Sequence, residues 1–232
     1  MRAILKQSWQ IYRDHFPVIL ALVLAVWTPL ELLSSYMDKF VFGEDDVKKS
    51  LKFAQLLNNF FGIIATAGLI FISQQALTRQ RPTFRGALAT GFTSWGRMWW
   101  TRILWHIALV FAFLLLIIPG IYLFARLALA EPVAVHERIS GTAAMRRSFE
   151  LTQGRFWLMF RLGLALLALF LLPIALIIAM AFVPALDHWL IDAATQIVGD
   201  VLTAFATITV AVAYSQFKTE QTPEYSASAI SS

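Results

Sequence analysis

The sequence predicts an all-α, polytopic membrane protein with six transmembrane helices and amphipathic interfacial helices. Three observations predict it. Of the 232 residues, 59% are hydrophobic and 14% charged, and the mean hydropathy is +0.68. A soluble domain carries roughly 25% charged residues and at this length could not bury so much apolar surface. The apolar residues gather in runs of about 18 or more, the length that crosses a hydrocarbon core. The basic residues fall almost entirely in alternate connections between those runs.

In chain order the runs are Phe16–Tyr36, Leu56–Leu77, Trp99–Ile118, Ile121–Val135, Phe156–Val183 and Thr195–Phe217. The first is too long for a signal-peptide core, and no small-residue cleavage site precedes the charged Asp38–Lys52 loop, so it is expected to remain as a span. The fourth is short and carries Arg126 and Glu131. It follows Pro119-Gly120, a strong turn signal, and charge distribution makes it a span. With both termini inside, the inner side holds Arg2, Lys6 and Arg13, then Arg79, Arg81, Arg85, Arg97 and Arg102, then Arg138, Arg146, Arg147, Arg155 and Arg161, and finally Lys218. The outer side holds Lys39, Lys48, Lys49 and Lys52, and the Asp187–Asp192 loop has no base. This is a strong positive-inside bias, and it collapses if the fourth run does not cross. The net charge of +5 therefore reports topology, and no nucleic-acid partner is expected. In the last run Thr203, Thr207 and Ala211 form a small-residue strip suited to close helix contact. The membrane domain spans 1–218, and the Ser/Thr/Pro/Glu-rich tail 219–232 reads as disordered and cytoplasmic.

Three segments that precede a span share one spacing: Leu5, Trp9, Tyr12, Phe16; Leu88, Phe92, Trp95, Trp99; and Met145, Phe149, Thr152, Phe156. Each is spaced 4, 3, 4, one face of an α-helix. A small residue precedes the second position each time: Ser8, Gly91 and Ser148. Such helices would lie in the interface, aromatic side toward lipid or protein and basic side toward headgroups. The pattern suggests three units of interfacial helix plus transmembrane hairpin, at about 1–80, 81–138 and 139–218. Repeats occur in folds that bind at the repeat interface and in folds that merely assemble.

Ionisable groups at membrane depth are costly and point to function by default. Four stand out: Glu31, His106, Arg126 and Glu131. A rise of about 1.5 Å per residue puts Glu31 about 22 Å above the inner face and Arg126 about 10 Å below the outer one. His106 and Glu131 fall at about 10 and 12 Å above the inner face. Two level pairs are expected, Glu31 with Arg126 and His106 with Glu131. They read as structural ties that fix helix register, as a substrate or proton site, or, for Arg126, as snorkelling toward the outer headgroups. Glu131-Pro132 is expected to mark a break in the fourth helix, because proline removes a backbone donor.

Enzyme chemistry finds no footing. His136-Glu137 begins a zincin-like pattern, but position 140 is Ser, so the second zinc ligand is missing. No nucleophile elbow, Walker loop or dinucleotide fingerprint is present. Histidines 15, 106, 136 and 188 lack metal-ligand spacing, and there is no cysteine. Neither metal nor cofactor is expected. Asp187-His188 on the short outer loop suits a solvated role.

One stretch resembles a known family: Ile118-Pro119-Gly120-Ile121, then Leu129-Ala130-Glu131-Pro132-Val133, then Ala144-Met145-Arg146-Arg147-Ser148-Phe149-Glu150-Leu151-Thr152. It resembles the YciC-type inner-membrane proteins of bacteria and is similar to the membrane domain attached to some glycerophosphodiester phosphodiesterases. The resemblance is strongest over about 118–157. It implies a bacterial inner-membrane protein tied to envelope maintenance, and no reaction class. The expected function is a non-enzymatic protein supporting envelope integrity or a membrane complex, with Arg146, Arg147 and Arg155 contacting anionic headgroups or a partner. The alternative is a transporter or handling protein for a small molecule or lipid, with a polar cavity around Arg126, Glu131 and His106. A ligand-sized cavity open to one side would favour the alternative.

Overall fold

The computed structural model describes residues 1–37, 40–41, 47–180 and 189–230, with side chains described over 1–37, 40–41, 52–171 and 196–221. Asp187, His188 and Lys39 fall outside the described residues, as do the side chains of Lys48, Lys49 and Asp192. Every regular element among the described residues is helical: α1 (Arg2–Asp14), α2 (Phe16–Met37), α3 (Val47–Leu77), α4 (Phe84–Leu115), α5 (Ile117–Leu127), α6 (Ala130–His136), α7 (Thr142–Leu151), α8 (Phe156–Met180) and α9 (Trp189–Ile230). Five stretches are long and apolar enough to cross a membrane: Phe16–Met37, Lys52–Leu77, Phe84–Leu115, Ile117–His136 and Gln196–Gln221. The count rises to six when α7 and α8, bent by 106° at their junction, are taken as one broken span. The chain is an all-α polytopic membrane protein.

The central helix is α3. Two-thirds of its span is buried, and it packs against α2, α4 and α9. Its contact with α4 depends on glycine from both sides. A Cβ on Gly91 would lie 2.6 Å from the Ile64 carbonyl oxygen, and one on Gly68 would lie 3.1 Å from that of Ala87. Backbones that close can be reached only where the side chain is missing.

The three repeated segments share a burial register as well as a spacing. From Ile4 to Ile11 and from Ala87 to Ser94 the order of buried, half-buried and exposed positions is identical. From Ala144 to Leu151 it differs only at Phe149, half-buried where Trp9 and Phe92 are exposed. Ser8, Gly91 and Ser148 each point inward. The segments differ in how they join the following span. The first ends at His15 and the third at Thr152, whereas the second continues without a break into α4. A separate interfacial helix before the third run is therefore not formed. Thr83 caps the fused helix by accepting from the Gly86 amide at 3.2 Å, and nothing between Phe84 and Leu115 supplies a stop signal.

The turn before α5 is not at Pro119-Gly120. The chain reverses at Leu116, extended at φ −166° and ψ 151°. Pro119 sits in the first turn of α5, where a missing amide costs nothing. A Cβ on Gly120 would lie 2.4 Å from the Phe113 ring, so this glycine lets α5 lie down on α4 directly after the reversal.

The break expected at Glu131-Pro132 falls slightly earlier, at Ala128-Leu129, with Pro132 in the first turn of α6. Backbone groups freed by such a break must find partners when water is absent, and α7 provides them. The Ser148 hydroxyl donates to the Arg126 carbonyl at 2.8 Å and accepts from the Leu129 amide at 3.2 Å. The Thr152 hydroxyl also reaches the Arg126 carbonyl, at 3.2 Å. Ser148→Ala removes a buried donor and acceptor together and is expected to cost about 1–3 kcal/mol, read as a lower melting temperature of the purified protein in detergent.

The backbone of α9 stays helical to Ile230, through the segment whose composition suggested disorder. Extending an established helix adds residues without a new nucleation step.

Candidate functional site

Glu31, on the inner face of α2, is 2% exposed. It accepts a hydrogen bond from Asn58 Nδ2 of α3 at 3.1 Å, while its Oε2 is buried without a hydrogen-bond partner. The helix facing it is α9, whose Gln196 Nε2 meets Ser35 Oγ at 3.5 Å. In this antiparallel pair, four residues on from Gln196 and four back from Ser35 bring Asp200 opposite Glu31. Asp200 lies within electrostatic range of Glu31, and its Oδ2 is also buried without a partner. Tyr12 closes the end of this contact by donating to the Val201 carbonyl at 2.9 Å. Burial raises the Tyr12 phenol above the ordinary tyrosine value, so it remains a donor.

The expected pair of Glu31 with Arg126 is therefore not made. Arg126 turns toward α7, with its guanidinium 4.9 Å from the centre of the Phe149 ring and 5.8 Å from that of Tyr122. Cation–π contacts of this kind replace an anion, but Arg126 Nε is left buried without a hydrogen-bond partner. Nor does His106 pair with Glu131. His106 Nδ1 donates to the Arg102 carbonyl one turn back, at 2.7 Å. Glu131 accepts from Arg102 Nε at 2.7 Å, in an ion pair between α4 and α6. The partners differ from the expected ones because distance along a helix does not say which way round it a side chain points.

Arg102 stands between two cavities. One, of about 420 Å³ between α3 and α4, is lined by Leu56, Asn59, Phe60, Trp99, Arg102 and His106 among others. The other, of about 690 Å³, lies between α4, α5, α8 and α9. It is polar at one end, where Thr101, Arg102 and Glu131 sit, and apolar elsewhere, with Phe124, Met159, Phe160 and Val210 in its walls. Phe113, Phe124, Leu164 and Leu167 line it and are also exposed, so it opens sideways onto the apolar surface.

At the end of the bundle that carries Lys218, Glu137 is a hub. It accepts from Tyr214 Oη at 3.0 Å, from Arg147 Nε at 3.3 Å and from Lys218 Nζ at 3.3 Å. Lys218 also donates to Tyr214 Oη at 3.0 Å, and the His136 ring stacks on Tyr214 at 5.1 Å. These contacts join α6, α7 and α9. Two of the three arginines expected at headgroups are met by carboxylates within the chain, one of them at this hub. Arg147 bonds Glu137 and Glu150. Arg155 bonds Glu220 at 2.7 Å and lies over the Phe217 ring. Arg146 reaches Glu150 at 3.5 Å with its side chain 85% exposed. The Thr203 and Thr207 hydroxyls bond back to their own helix, leaving Ala211, fully buried, as the contact point of that strip.

Sequence reasoning missed Asn58, Asp200, Arg102, Glu137 and Tyr214 as members of these clusters. Asp200 carried a signal, as the one charge in the last apolar run. Among the described residues, no group of three or more His, Cys, Asp or Glu is placed to hold a metal. No protein-family model, curated protein or solved structure matches the chain.

Proposed function

We propose that this integral membrane protein binds a membrane amphiphile in the cavity between α4, α5, α8 and α9, and so belongs to the lipid-handling class. One observation carries the proposal: a cavity of about 690 Å³, polar at the Arg102–Glu131 end and open sideways past Leu164 and Leu167. Its size falls in the range of small-molecule sites, about 300–1,000 Å³, which pair apolar walls with a few placed polar groups. An acyl chain fits the walls. Arg102 spends Nε on Glu131, so its terminal amino groups can meet a phosphate or carboxylate headgroup, the geometry for which arginine is suited. The positive-inside distribution supports a cytoplasmic Lys218 end, with both termini there, and the family resemblance supports a bacterial inner membrane.

A supporting role for the envelope or a membrane complex, through anionic headgroups, is a second reading. The exposure of Arg146 and of Trp157 favours it. Arg147 and Arg155 favour it less, because their charges are met within the chain.

Filling the cavity tests the proposal. A Cβ on Gly163 would have Phe124 Cε1 at 4.0 Å as its nearest atom, so Gly163→Phe can enter the cavity without a backbone clash. Lipid that survives purification in mild detergent, measured by mass spectrometry, is expected to fall several-fold in Gly163→Phe while the melting temperature holds. Equal lipid content in the two proteins would refute the site.

A further inference from the structure

We propose that Glu31 and Asp200 share one proton inside the membrane, as a hydrogen-bonded carboxylic acid and carboxylate. The geometry rests on the α2–α9 register set by Gln196 and Ser35 and does not depend on the amphiphile cavity. Glu31 is 2% exposed, so water does not screen it. Of its two oxygens, one accepts from Asn58 and the other is bare. Asp200 likewise has a buried oxygen with no donor. Thr28, one turn before Glu31 on α2, adds a third buried oxygen without a partner.

The groups facing the pair are Asn58 from α3, Gln196 from α9, Thr28 and Ser35 from α2, and the Tyr12 hydroxyl from α1. Among the described residues none of these is a cation, and no lysine, arginine or histidine pairs with either carboxyl. Two adjacent carboxylates in a medium of low dielectric cannot both ionise without a compensating charge. A proton on one of them removes one charge and supplies the donor that the facing oxygen lacks. One O–H then donates across the α2–α9 contact, and the remaining negative charge is held by that bond and by Asn58.

The test is infrared spectroscopy of the purified full-length protein in lipid nanodiscs at neutral pH, comparing H2O with D2O in sodium-free buffer. Wild type is expected to show a D2O-sensitive C=O stretch of a protonated carboxyl. Both Glu31→Gln and Asp200→Asn are expected to lose it, because in each the new amide N–H donates to the partner carboxylate and replaces the proton. The same substitution should leave the melting temperature within a few degrees of wild type. A wild-type spectrum without the band overturns the proposal and needs no variant to fold. Persistence of the band in either variant places the proton on a lone carboxyl and also overturns it. Loss of the wild-type band on adding sodium chloride, with a rise in melting temperature, assigns the site to a metal cation instead.

Discussion

Glu137→Ala is expected to lower stability by about 2–3 kcal/mol, the largest effect of any single charge removal at the Lys218 end. Breaking a fully buried ion pair typically costs about 3–5 kcal/mol because the abandoned partner stays buried. Here the carboxylate is 17% exposed and its partners Arg147 and Lys218 are 30% and 45% exposed. Water recovers part of the loss, since exposed pairs contribute only about 0–1 kcal/mol. Three donors converge on this one group, and they come from α7 and α9. Its removal therefore leaves Arg147 with Glu150 alone, takes this carboxylate from Lys218 and leaves the Tyr214 hydroxyl without its acceptor. Glu137→Gln keeps an acceptor for Tyr214 and loses the charge, and should fall between wild type and Glu137→Ala. Melting in detergent at low and high salt separates the parts. The gap between wild type and Glu137→Gln should narrow with salt, while that between Glu137→Gln and Glu137→Ala should not. Equal melting temperatures for all three proteins would show that the hub is ornamental.

What could be read from the sequence depended on whether the property was local. Span positions are local, because any run of apolar residues long enough must leave water whatever it packs against. That is why Phe16–Tyr36 and Leu56–Leu77 match α2 and the apolar part of α3 closely. The recurrence of Ser8, Gly91 and Ser148 is also legible as spacing, but that these positions, and not Trp9 or Phe92, face inward is a matter of packing. Partners are not legible. Distance from the two faces matches Glu31 with Arg126, but Glu31 points at α3 and α9, and Arg126 points at α7. Azimuth comes from packing, and no count along the chain contains it. Along the chain Arg102 reads as a topology-setting base, which hides its role as the partner of Glu131. Glu137 reads only as half of an absent zinc motif, because its donors lie 10, 77 and 81 positions away. The break falls before Pro132 because proline suits the first turn of a new helix as well as it suits a break.

Gly91→Leu is expected to prevent the bundle from forming, with folded protein in the membrane falling to a small fraction of wild type. The closest atom to a Cβ at this position is the Ile64 backbone oxygen, at 2.6 Å, with Ile64 Cγ2 equally near. A flexible neighbour can swing aside, but a carbonyl in a helix moves only with the helix. The Gly68 contact with Ala87 lies in the same register, one helical turn away, so α3 cannot pivot about it to make room without losing that approach as well. Overpacking costs about 1–3 kcal/mol where side chains can yield, and here they cannot. Gly91→Ala should show a milder loss in the same direction, although alanine is favoured over glycine in a helix by about 1 kcal/mol. The control lies in the same helix. A Cβ at Gly96 meets nothing within 4 Å, so Gly96→Ala should melt at or above the wild-type temperature. If Gly91→Ala and Gly96→Ala behave alike, helix propensity alone governs both positions, and the close approach of α3 to α4 does not constrain the bundle.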